Sequence, residues 1–403
     1  MSRVVLIIYI PRKLTSKSNG GIAEVIDNFL PILKEQRKMP AYKLKALDAL
    51  HKCRTSYMGG HVEACEGCGE IRIAYNSCRN RHCPQCGAID KEKWVIAREA
   101  DLLPVKYFHV VFTVPDKLNE LFLYNQVAMF NLLFTTSWQI LKDFGNTKKW
   151  IGGKIGATAI LHTSGQNLQV HPHVHFIVPA GALMKNGQWK HARNRGKYLF
   201  KVEQLSDVFR ARFVEELRKL CQQKLVTGKI PAGLFDHEWV VYAKQPFGGP
   251  GQIIRYLSRY THRTAISNER IIKVGQEKVT FSWKDYRNNY ARQVTSMDGH
   301  EFLRLFCMHI LPPGYTRIRH YGFLSSAAKR KALGAIRGYL KVNPIVKANS
   351  KPMRELALER MSINPGICKS CGSKMVIVEI LPDRFRKRQR APPGESCLEE
   401  FRS

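Results

Sequence analysis

The chain is poor in acidic residues. Its 403 residues include 32 Asp plus Glu against 65 Lys plus Arg, which gives a formal net charge of +33. The basic residues are spread along the whole chain, and such an excess predicts a polyanionic partner. Basic ribosomal proteins and proteins of membrane surfaces can share this balance, so the charge favours nucleic acid as the partner but does not establish it.

Long apolar runs are also missing. The apolar run at residues 4–10 is far shorter than the ~20 residues that a membrane-spanning helix needs. The polar residues 11–20 carry no small-residue cleavage pattern, so we expect neither a membrane span nor a secretory signal. These absences predict a cytoplasmic, nucleoid-associated protein. In that reducing compartment the 11 cysteines favour zinc ligation over disulfides.

Composition and spacing divide the chain into four predicted segments. Residues 1–36 are expected to be a flexible leader, because residues 13–21 are polar and end in glycine. Residues 37–104 are predicted to form a small zinc-binding, DNA-binding domain. Residues 105–320 are predicted to form a larger α+β domain, and residues 321–403 a basic C-terminal region.

Apolar periodicity predicts the elements of the larger domain. Helical spacing is present at residues 116–144 and 205–225, and also at residues 42–53 of the preceding domain. Runs rich in Val, Ile and aromatic residues predict strands at 107–115, 157–163, 170–179 and 238–243. This alternation suggests a sheet with helices packed on one face. Residues 186–235 are interpreted as an insertion or a helical lid.

A dense cluster of cysteines predicts a structural zinc site. Two CxxC pairs are separated by 14 residues, a spacing typical of a zinc ribbon. The predicted ligands are Cys65, Cys68, Cys83 and Cys86, with Cys78 or His82 as possible replacements for one of them. Nearby Arg79 and Arg81 are candidates for contacts with DNA phosphates. A further pair, Cys368 and Cys371, is followed by Cys397 but by no second CxxC, so its role stays open.

Three histidines alternate along one predicted strand. Because successive strand residues point to opposite faces, His171, His173 and His175 share a face. Three imidazoles on one face cannot all be buried without partners, so we interpret them as ligands of a metal ion. Histidines on strands also build hydrolytic zinc sites in which bound water is the nucleophile. That alternative is not excluded by the strand itself.

Two tyrosines lie four residues apart on a predicted helix that opens at residues 250–251. Tyr256 and Tyr260 therefore share one helix face. Such a pair is usually half-buried packing, but cationic groups that could bind phosphate lie among these tyrosines. These cationic residues are Arg255, Arg259, His262 and Arg263.

This combination predicts phosphodiester chemistry. A phenol with a pKa of ~10 is a poor nucleophile at neutral pH unless a base or a metal-polarised electrophile assists it. Mg²⁺ or Mn²⁺ held by two imidazoles and one oxygen ligand would polarise a phosphate for attack by the tyrosine. Attack would form a phosphotyrosine and free a 3′ hydroxyl, and conservation of bond energy would allow religation without ATP.

Three segments together resemble a known family. They are NSCRNRHCPQCG (residues 76–87), HPHVHFIVPAGAL (171–183) and YLSRYTHRTAISNERI (256–271). The sequence resembles the HUH nucleases, which are named for a histidine-hydrophobic-histidine strand, and among them the two-tyrosine rolling-circle insertion-sequence transposases. His173-Val174-His175 matches the histidine motif, and Tyr256 with Tyr260 matches the paired tyrosines. The resemblance covers residues 40 to about 320.

The resemblance implies a fold and a substrate. The expected fold is an α+β, ferredoxin-like antiparallel palm with a helical insertion, preceded by a zinc-ribbon-like domain. The expected substrate is single-stranded DNA, both at the element ends and at the target, cut through a 5′-phosphotyrosine. A third, polar ligand is expected at the metal site; in some related initiators it lies seven residues before the first motif histidine, which here is Gln166, with His171 as the alternative.

Three other functions compete with transposition. A replication initiator or conjugative relaxase would share the nuclease core, but such enzymes usually append a helicase, and no GxxxxGK[ST] loop occurs here. A non-catalytic zinc DNA-binding protein would not need the histidine and tyrosine motifs. A zinc hydrolase would leave the net charge and the tyrosine helix unexplained.

Overall fold

The computed structural model describes residues 21–193, 199–244, 251–252, 254–255, 258, 264–285, 288–289, 291–343, 353–362 and 364–384. Within these ranges the helices are α1 (Ile22–Gln36), α2 (Ala41–His51), α3 (Ala88–Asp101), α4 (Asn119–Tyr124), α5 (Gln126–Asn146), α6 (Val202–Gln222), α7 (Gly299–Met308), α8 (Lys329–Tyr339) and α9 (Met353–Met361). The strands are β1 (Gly60–Cys65), β2 (Ile71–Tyr75), β3 (Tyr107–Thr113), β4 (Gly156–Ser164), β5 (Val170–Pro179), β6 (Gly181–Leu183), β7 (Trp189–His191), β8 (Val241–Lys244), β9 (Ile271–Val274), β10 (Lys278–Asp285), β11 (Ala291–Asp298), β12 (Ile318–Gly322) and β13 (Met375–Leu381).

A five-stranded sheet in the order β12-β4-β5-β3-β8 organises the larger part of the chain. Every neighbouring pair of its strands is antiparallel. The α+β class is therefore confirmed. The predicted strands at 107–115, 157–163 and 170–179 are present as β3, β4 and β5, and the last of these has the predicted bounds. The predicted strand at 238–243 begins later, at Val241.

The two faces of this sheet have different chemistry. Val174 and Phe176 of β5 lie in the main buried core with residues of α5 and α6. In that core the ring of Phe112 on β3 lies 5.0 Å, centroid to centroid, from Phe209 of α6. Because residues alternate along the strand, the β5 histidines lie on the opposite face. The histidines are thus carried by the face opposite the core formed with α5 and α6.

Helix α6 corrects the interpretation of residues 186–235 as a helical lid. Its residues Leu205, Phe209, Phe213 and Leu217 are buried in the main core, and Phe213 stacks edge-on against Trp239. They recur at the spacing of one helical face, which is the pattern of a core helix. The helix therefore forms a layer of the fold and is not a cover over the site.

A second core joins the N-terminal helices to residues 265–310. Buried residues of α1 and α2 pack with residues of β9, β10 and α7. The ring of Phe29 lies so close to α7 that a Cβ on Gly299 would be 2.0 Å from Phe29 Cζ. The three-stranded sheet β11-β10-β9 lies beside these helices. This core crosses the predicted domain boundary at residue 104, because residues 265–310 complete the N-terminal helices.

Helix α1 also corrects the expectation of a leader over residues 1–36. Ile22, Val25, Ile26, Phe29 and Leu33 are buried and recur at helical spacing. The polar residues 13–21 directly before this helix led the whole segment to be interpreted as a leader. From Ile22 onward the segment is part of the fold, whereas residues 1–20 lie outside the described ranges.

A small third sheet has the order β13-β1-β2 and joins the N-terminal hairpin to a strand near the end of the chain. Both pairings are antiparallel. Among the helices of the described ranges, none is long and apolar enough to cross a membrane.

Candidate functional site

Three imidazoles converge on the face of the central sheet that lies opposite its helical core. His173 and His175 lie on β5, and His162 lies on β4 directly across from His173. The Nδ1 of His162 is 3.2 Å from the Nε2 of His173 and 3.3 Å from the Nε2 of His175. We call these three residues the histidine centre. Their positions are set by strand register, so the ligand atoms are held by a rigid support.

Hydrogen bonds on the far side of the rings fix which nitrogens point inward. The Nδ1 of His173 donates to the carbonyl oxygen of His171 at 2.7 Å, and the Nδ1 of His175 is 2.8 Å from the Nε2 of His109. A neutral imidazole has one donor and one acceptor nitrogen, so donation from each Nδ1 leaves each Nε2 with a free lone pair. This is the arrangement in which histidine binds a metal ion.

His109 on β3 is suited to accept that hydrogen bond. Its ring stacks on His175 with centroids 5.0 Å apart and planes 10° apart. Burial lowers the pKa of His109 to about 4, so its imidazole is neutral at neutral pH and its Nε2 can accept. Sequence reasoning missed His109, because an isolated histidine in a strand is an ordinary core residue.

The geometry of the histidine centre fits a metal ion. Nitrogen ligands about 2.0–2.2 Å from one ion lie about 2.8–3.6 Å apart when the angles between them are near 90–109°. The separations of 3.2 and 3.3 Å fall in this range. Two of the three rings, those of His162 and His175, are buried. The centre therefore has the donor set and the spacing for three positions of a divalent ion.

The two residues expected to supply the third ligand are placed differently. The side chain of His171 is 42% exposed, and its Nδ1 is 3.6 Å from Asp116 Oδ1, while its carbonyl supports His173. The carbonyl oxygen of Gln166 accepts a hydrogen bond from Arg270. His162 is the residue that the structure groups with His173 and His175. It escaped prediction because it is a single histidine in an apolar strand.

The predicted nucleophiles Tyr256 and Tyr260 lie outside the described residues, as do Arg259, His262 and Arg263. Residues on both sides of them are described, and Arg255 is one of these. It is exposed, and its Nε is 3.4 Å from Glu99 Oε1 on α3.

The described neighbours place both ends of the tyrosine segment on the histidine face of the sheet. Ile254, before the segment, is buried in a cluster with Ile160 and Ile177 of that face. Thr264, after it, lines a small polar cavity together with His162. Ile254 and Thr264, which flank the predicted nucleophiles along the chain, therefore both lie near the face that carries the histidine centre.

The cysteines form two groups, and this corrects the predicted ligand set. Cys83 and Cys86 lie with Cys53 and Cys78, whereas Cys65 and Cys68 lie with Cys368 and Cys371. We call these the first and the second cysteine cluster. The physical reason is the β1–β2 hairpin, in which Gly60 pairs with Tyr75 at the open end and Cys65 is about 16 Å away near the turn. Two pairs at opposite ends of a hairpin cannot share one ion.

The first cysteine cluster has the geometry of a closed zinc site. The Cys86 Sγ is 3.5 Å from the Cys53 Sγ and 3.7 Å from the Cys78 Sγ. Four thiolates about 2.3 Å from one zinc ion lie roughly 3.8 Å apart. Cys78, held as an alternative ligand, belongs to this cluster, and Cys53 was missed. His82 is not among the residues grouped at this cluster. Burial and nearby Arg317 and Arg81 lower the pKa of its imidazole to about 3.

The two arginines predicted to bind DNA have different surroundings. Arg79 is exposed and follows Cys78. The guanidinium of Arg81 donates to the main-chain carbonyls of Tyr315, Pro312 and Leu311, at 2.5, 2.8 and 3.4 Å. Its donors are thus used inside the protein, so Arg81 anchors the segment 311–315 to the first cysteine cluster. That role corrects the prediction of a phosphate contact for Arg81.

Comparison with known families matches two parts of the chain. Residues 25–114 match a family described as a transposase zinc-binding domain, and residues 156–332 match a family described as putative transposase. The first range contains all four residues of the first cysteine cluster. The second contains the histidine centre and the tyrosine segment.

Two relatives extend over most of the chain. The putative transposase y4qJ of Sinorhizobium fredii is 35% identical over 384 residues, which cover 91% of this chain and 96% of the relative. The transposase for insertion sequence element IS801 of Pseudomonas savastanoi pv. phaseolicola is 26% identical, with 85% of each chain covered. The chain therefore belongs to this family of insertion-sequence transposases with an N-terminal zinc-binding domain.

Proposed function

We propose that the chain nicks and transfers single-stranded DNA through a 5′-phosphotyrosine intermediate during rolling-circle transposition, with Tyr256 and Tyr260 as nucleophiles. The observation that carries this proposal is the histidine centre. Its three inward nitrogens lie on the sheet face near which Ile254 and Thr264, the described residues that flank the tyrosine segment, also lie. Metal and nucleophile would thereby meet at one phosphate.

The proposed fold assignment follows from the same sheet. A five-stranded antiparallel sheet with the helical core of α5 and α6 on one face and the histidine centre on the other supports the ferredoxin-like palm of HUH nucleases. The net charge of +33 supports DNA at the element ends and at the target as the substrate. A cytoplasmic, nucleoid-associated location would follow from that substrate.

His162, His173 and His175 would hold the catalytic ion, Mg²⁺ or Mn²⁺. When bound, such an ion would polarise a non-bridging phosphate oxygen and offset its developing charge. Nitrogen ligands suit transition metals, whereas Mg²⁺ prefers oxygen ligands. Of the two expected ions, the donor set therefore favours Mn²⁺.

The chemical step balances without an added reactant. The phenol oxygen of one tyrosine forms a bond to phosphorus as the bond from phosphorus to the 3′ oxygen breaks. The phenol gives up a proton and the 3′ oxygen gains one, so the products are a 5′-phosphotyrosine and a 3′ hydroxyl. The second tyrosine could then attack another strand while the first still holds the donor end. Arg255, Arg259, His262 and Arg263 would bind the phosphates.

Hydrolysis is the second candidate, and one observation favours it. Three imidazoles are also the donor set of a catalytic zinc ion, which keeps its fourth position for water. In that case the nucleophile would be water, and no protein-DNA bond would form.

The test is to incubate the protein with labelled single strands that carry the element ends, with Mn²⁺ or EDTA, and to separate the products on a denaturing gel. We expect a metal-dependent protein-DNA adduct that Tyr256→Phe or Tyr260→Phe reduces and the double variant abolishes. Tyr339→Phe, at an exposed position on α8, is the matched control. Cleavage without an adduct would support hydrolysis. Binding without cleavage would support a non-catalytic DNA-binding protein.

A further inference from the structure

The second cysteine cluster brings together residues from distant parts of the sequence. Cys65 and Cys68 follow β1, whereas Cys368 and Cys371 precede β13 and lie outside both regions matched by the transposase families. The Cys65 Sγ is 3.3 Å from the Cys371 Sγ, and the Cys68 Sγ is 3.8 Å from the Cys368 Sγ. These separations are far longer than a disulfide bond of about 2.05 Å and close to the ~3.8 Å between thiolates on one zinc ion.

The two halves of this cluster have the same backbone hydrogen bonds. The N–H of Gly69 donates to the carbonyl of Cys65, and the N–H of Gly372 donates to the carbonyl of Cys368, both at 3.1 Å. The first cysteine of each pair donates its own N–H to the residue five positions later, Glu70 or Ser373. Each half is thus a tight turn that presents two sulfurs to one point.

A glycine closes both turns for a conformational reason. Gly69 has a φ of 74° and Gly372 a φ of 77°, a region that L-residues with side chains rarely adopt. A Cβ at either position would meet no atom within 4 Å, so space does not select glycine there. The pattern CxxCG at 65–69 therefore recurs at 368–372, and Cys83 to Gly87 has it too. The repeated pattern is a metal knuckle.

Little apolar burial holds this junction together. Cys65 pairs with Met375 at the start of β13, and the local buried cluster consists of Cys65, Cys368 and Met375. Farther along β13, Ile377, Val378 and Ile380 are exposed. An edge strand with one buried apolar side chain gains about 2–3 kcal/mol from burial, which is small against the cost of ordering it. A cross-link between the two cysteine pairs would supply the stabilisation of β13 that apolar burial does not.

We propose that Cys65, Cys68, Cys368 and Cys371 bind a second structural zinc ion, which fastens the C-terminal segment to the N-terminal hairpin. The site is closed by four thiolates, so it is structural and separate from the proposed DNA cleavage. The ion would also hold Pro382 in place, directly before the basic run at residues 383–390. The carbonyl of Pro382 lies against the backbone of Gly59, where a Cβ would be 2.6 Å away.

Cobalt substitution under reducing conditions tests this site. Co²⁺ bound by four thiolates gives sulfur-to-metal charge-transfer absorption, which the histidine centre cannot give. Wild type should bind two tetrathiolate equivalents per chain. The Cys368→Ser/Cys371→Ser variant should retain one, so this absorption should fall twofold, and trypsin should cut within residues 341–369 faster. Cys221→Ser, a half-buried cysteine on α6 outside both clusters, should keep both equivalents.

Two results would overturn the proposal. One is a single tetrathiolate equivalent in the wild-type chain, which does not depend on the folding of any variant. The other is unchanged absorption in the Cys368→Ser/Cys371→Ser variant. The Cys53→Ser/Cys78→Ser variant should lose the other equivalent, which assigns each half of the signal to its own cluster.

Discussion

Replacing His109 by leucine should weaken metal binding at the histidine centre by about 30–100-fold. The Nε2 of His109 is 2.8 Å from the Nδ1 of His175 and would accept its hydrogen bond when the Nε2 of His175 binds metal; His175 is 6% exposed. Losing such an outer partner of a metal ligand typically costs about 10–100-fold in affinity, or roughly 1.4–2.7 kcal/mol. Leaving a buried donor unpaired costs a similar ~1–3 kcal/mol. The burial of His175 places the effect in the upper part of this range.

The assay is calorimetric titration of Mn²⁺ into protein whose cysteine clusters hold zinc and whose histidine centre holds no metal. His109→Gln should recover part of the affinity, because the glutamine oxygen can accept the same hydrogen bond. The matched control is His320→Leu, which removes a half-buried imidazole from β12 in the same sheet that bonds to Thr158 and Arg98. An unchanged Kd for His109→Leu, or an equal loss in the His320 variant, would refute the proposed orientation of His175.

The remaining four predictions concern the metal preference, Arg81, Arg79 and His320. Nicking of single strands should be faster with Mn²⁺ than with Mg²⁺ at equal concentration, and a clear preference for Mg²⁺ would contradict an all-nitrogen ligand set. Arg81→Ala should lower the free energy of unfolding by about 1–3 kcal/mol in urea titrations, since three carbonyls lose their donor. Arg79→Ala should leave stability unchanged and weaken single-strand binding most at low salt. Loss of stability in the Arg79 variant, together with loss of DNA binding in the Arg81 variant, would contradict both assignments. Burial and neighbouring Arg98 lower the pKa of His320 to about 4 in the folded protein. Between about pH 6.5 and 4 this histidine is therefore protonated in the unfolded chain but neutral in the folded one, so the free energy of unfolding falls as the pH falls. The melting temperature of His320→Gln should therefore fall less over that range than that of wild type, and parallel curves would refute this.

Local periodicity predicted much of the central sheet. The alternation at residues 170–179 predicted β5 with its bounds and its histidine face, because a single strand shows its two faces in its own sequence. Helical spacing likewise predicted α2 and most of α5. These features depend on residues that are neighbours along the chain.

The remaining features depend on contacts between distant segments. His162 lies opposite His173 because β4 pairs with β5. The sequence pattern of neither strand predicts the register of that pairing. The cysteine pairs were grouped by proximity in sequence, but the β1–β2 hairpin carries them to opposite ends. Cys371 reaches Cys65 across 306 residues. The recurrence of CxxCG at residues 368–372 was the available signal for that pairing.

The polarity of the covalent bond tests the central claim most directly. A single strand labelled at its 3′ end and a second copy labelled at its 5′ end are each incubated with the protein and Mn²⁺, and label bound to protein is measured after denaturation. The proposed mechanism predicts that the 3′-end label becomes bound to Tyr256 or Tyr260, while the 5′-labelled fragment is released with a 3′ hydroxyl that a polymerase can extend. Protein-bound 5′-end label, or release of both fragments from a wild-type chain that cuts the strand, would contradict a 5′-phosphotyrosine intermediate.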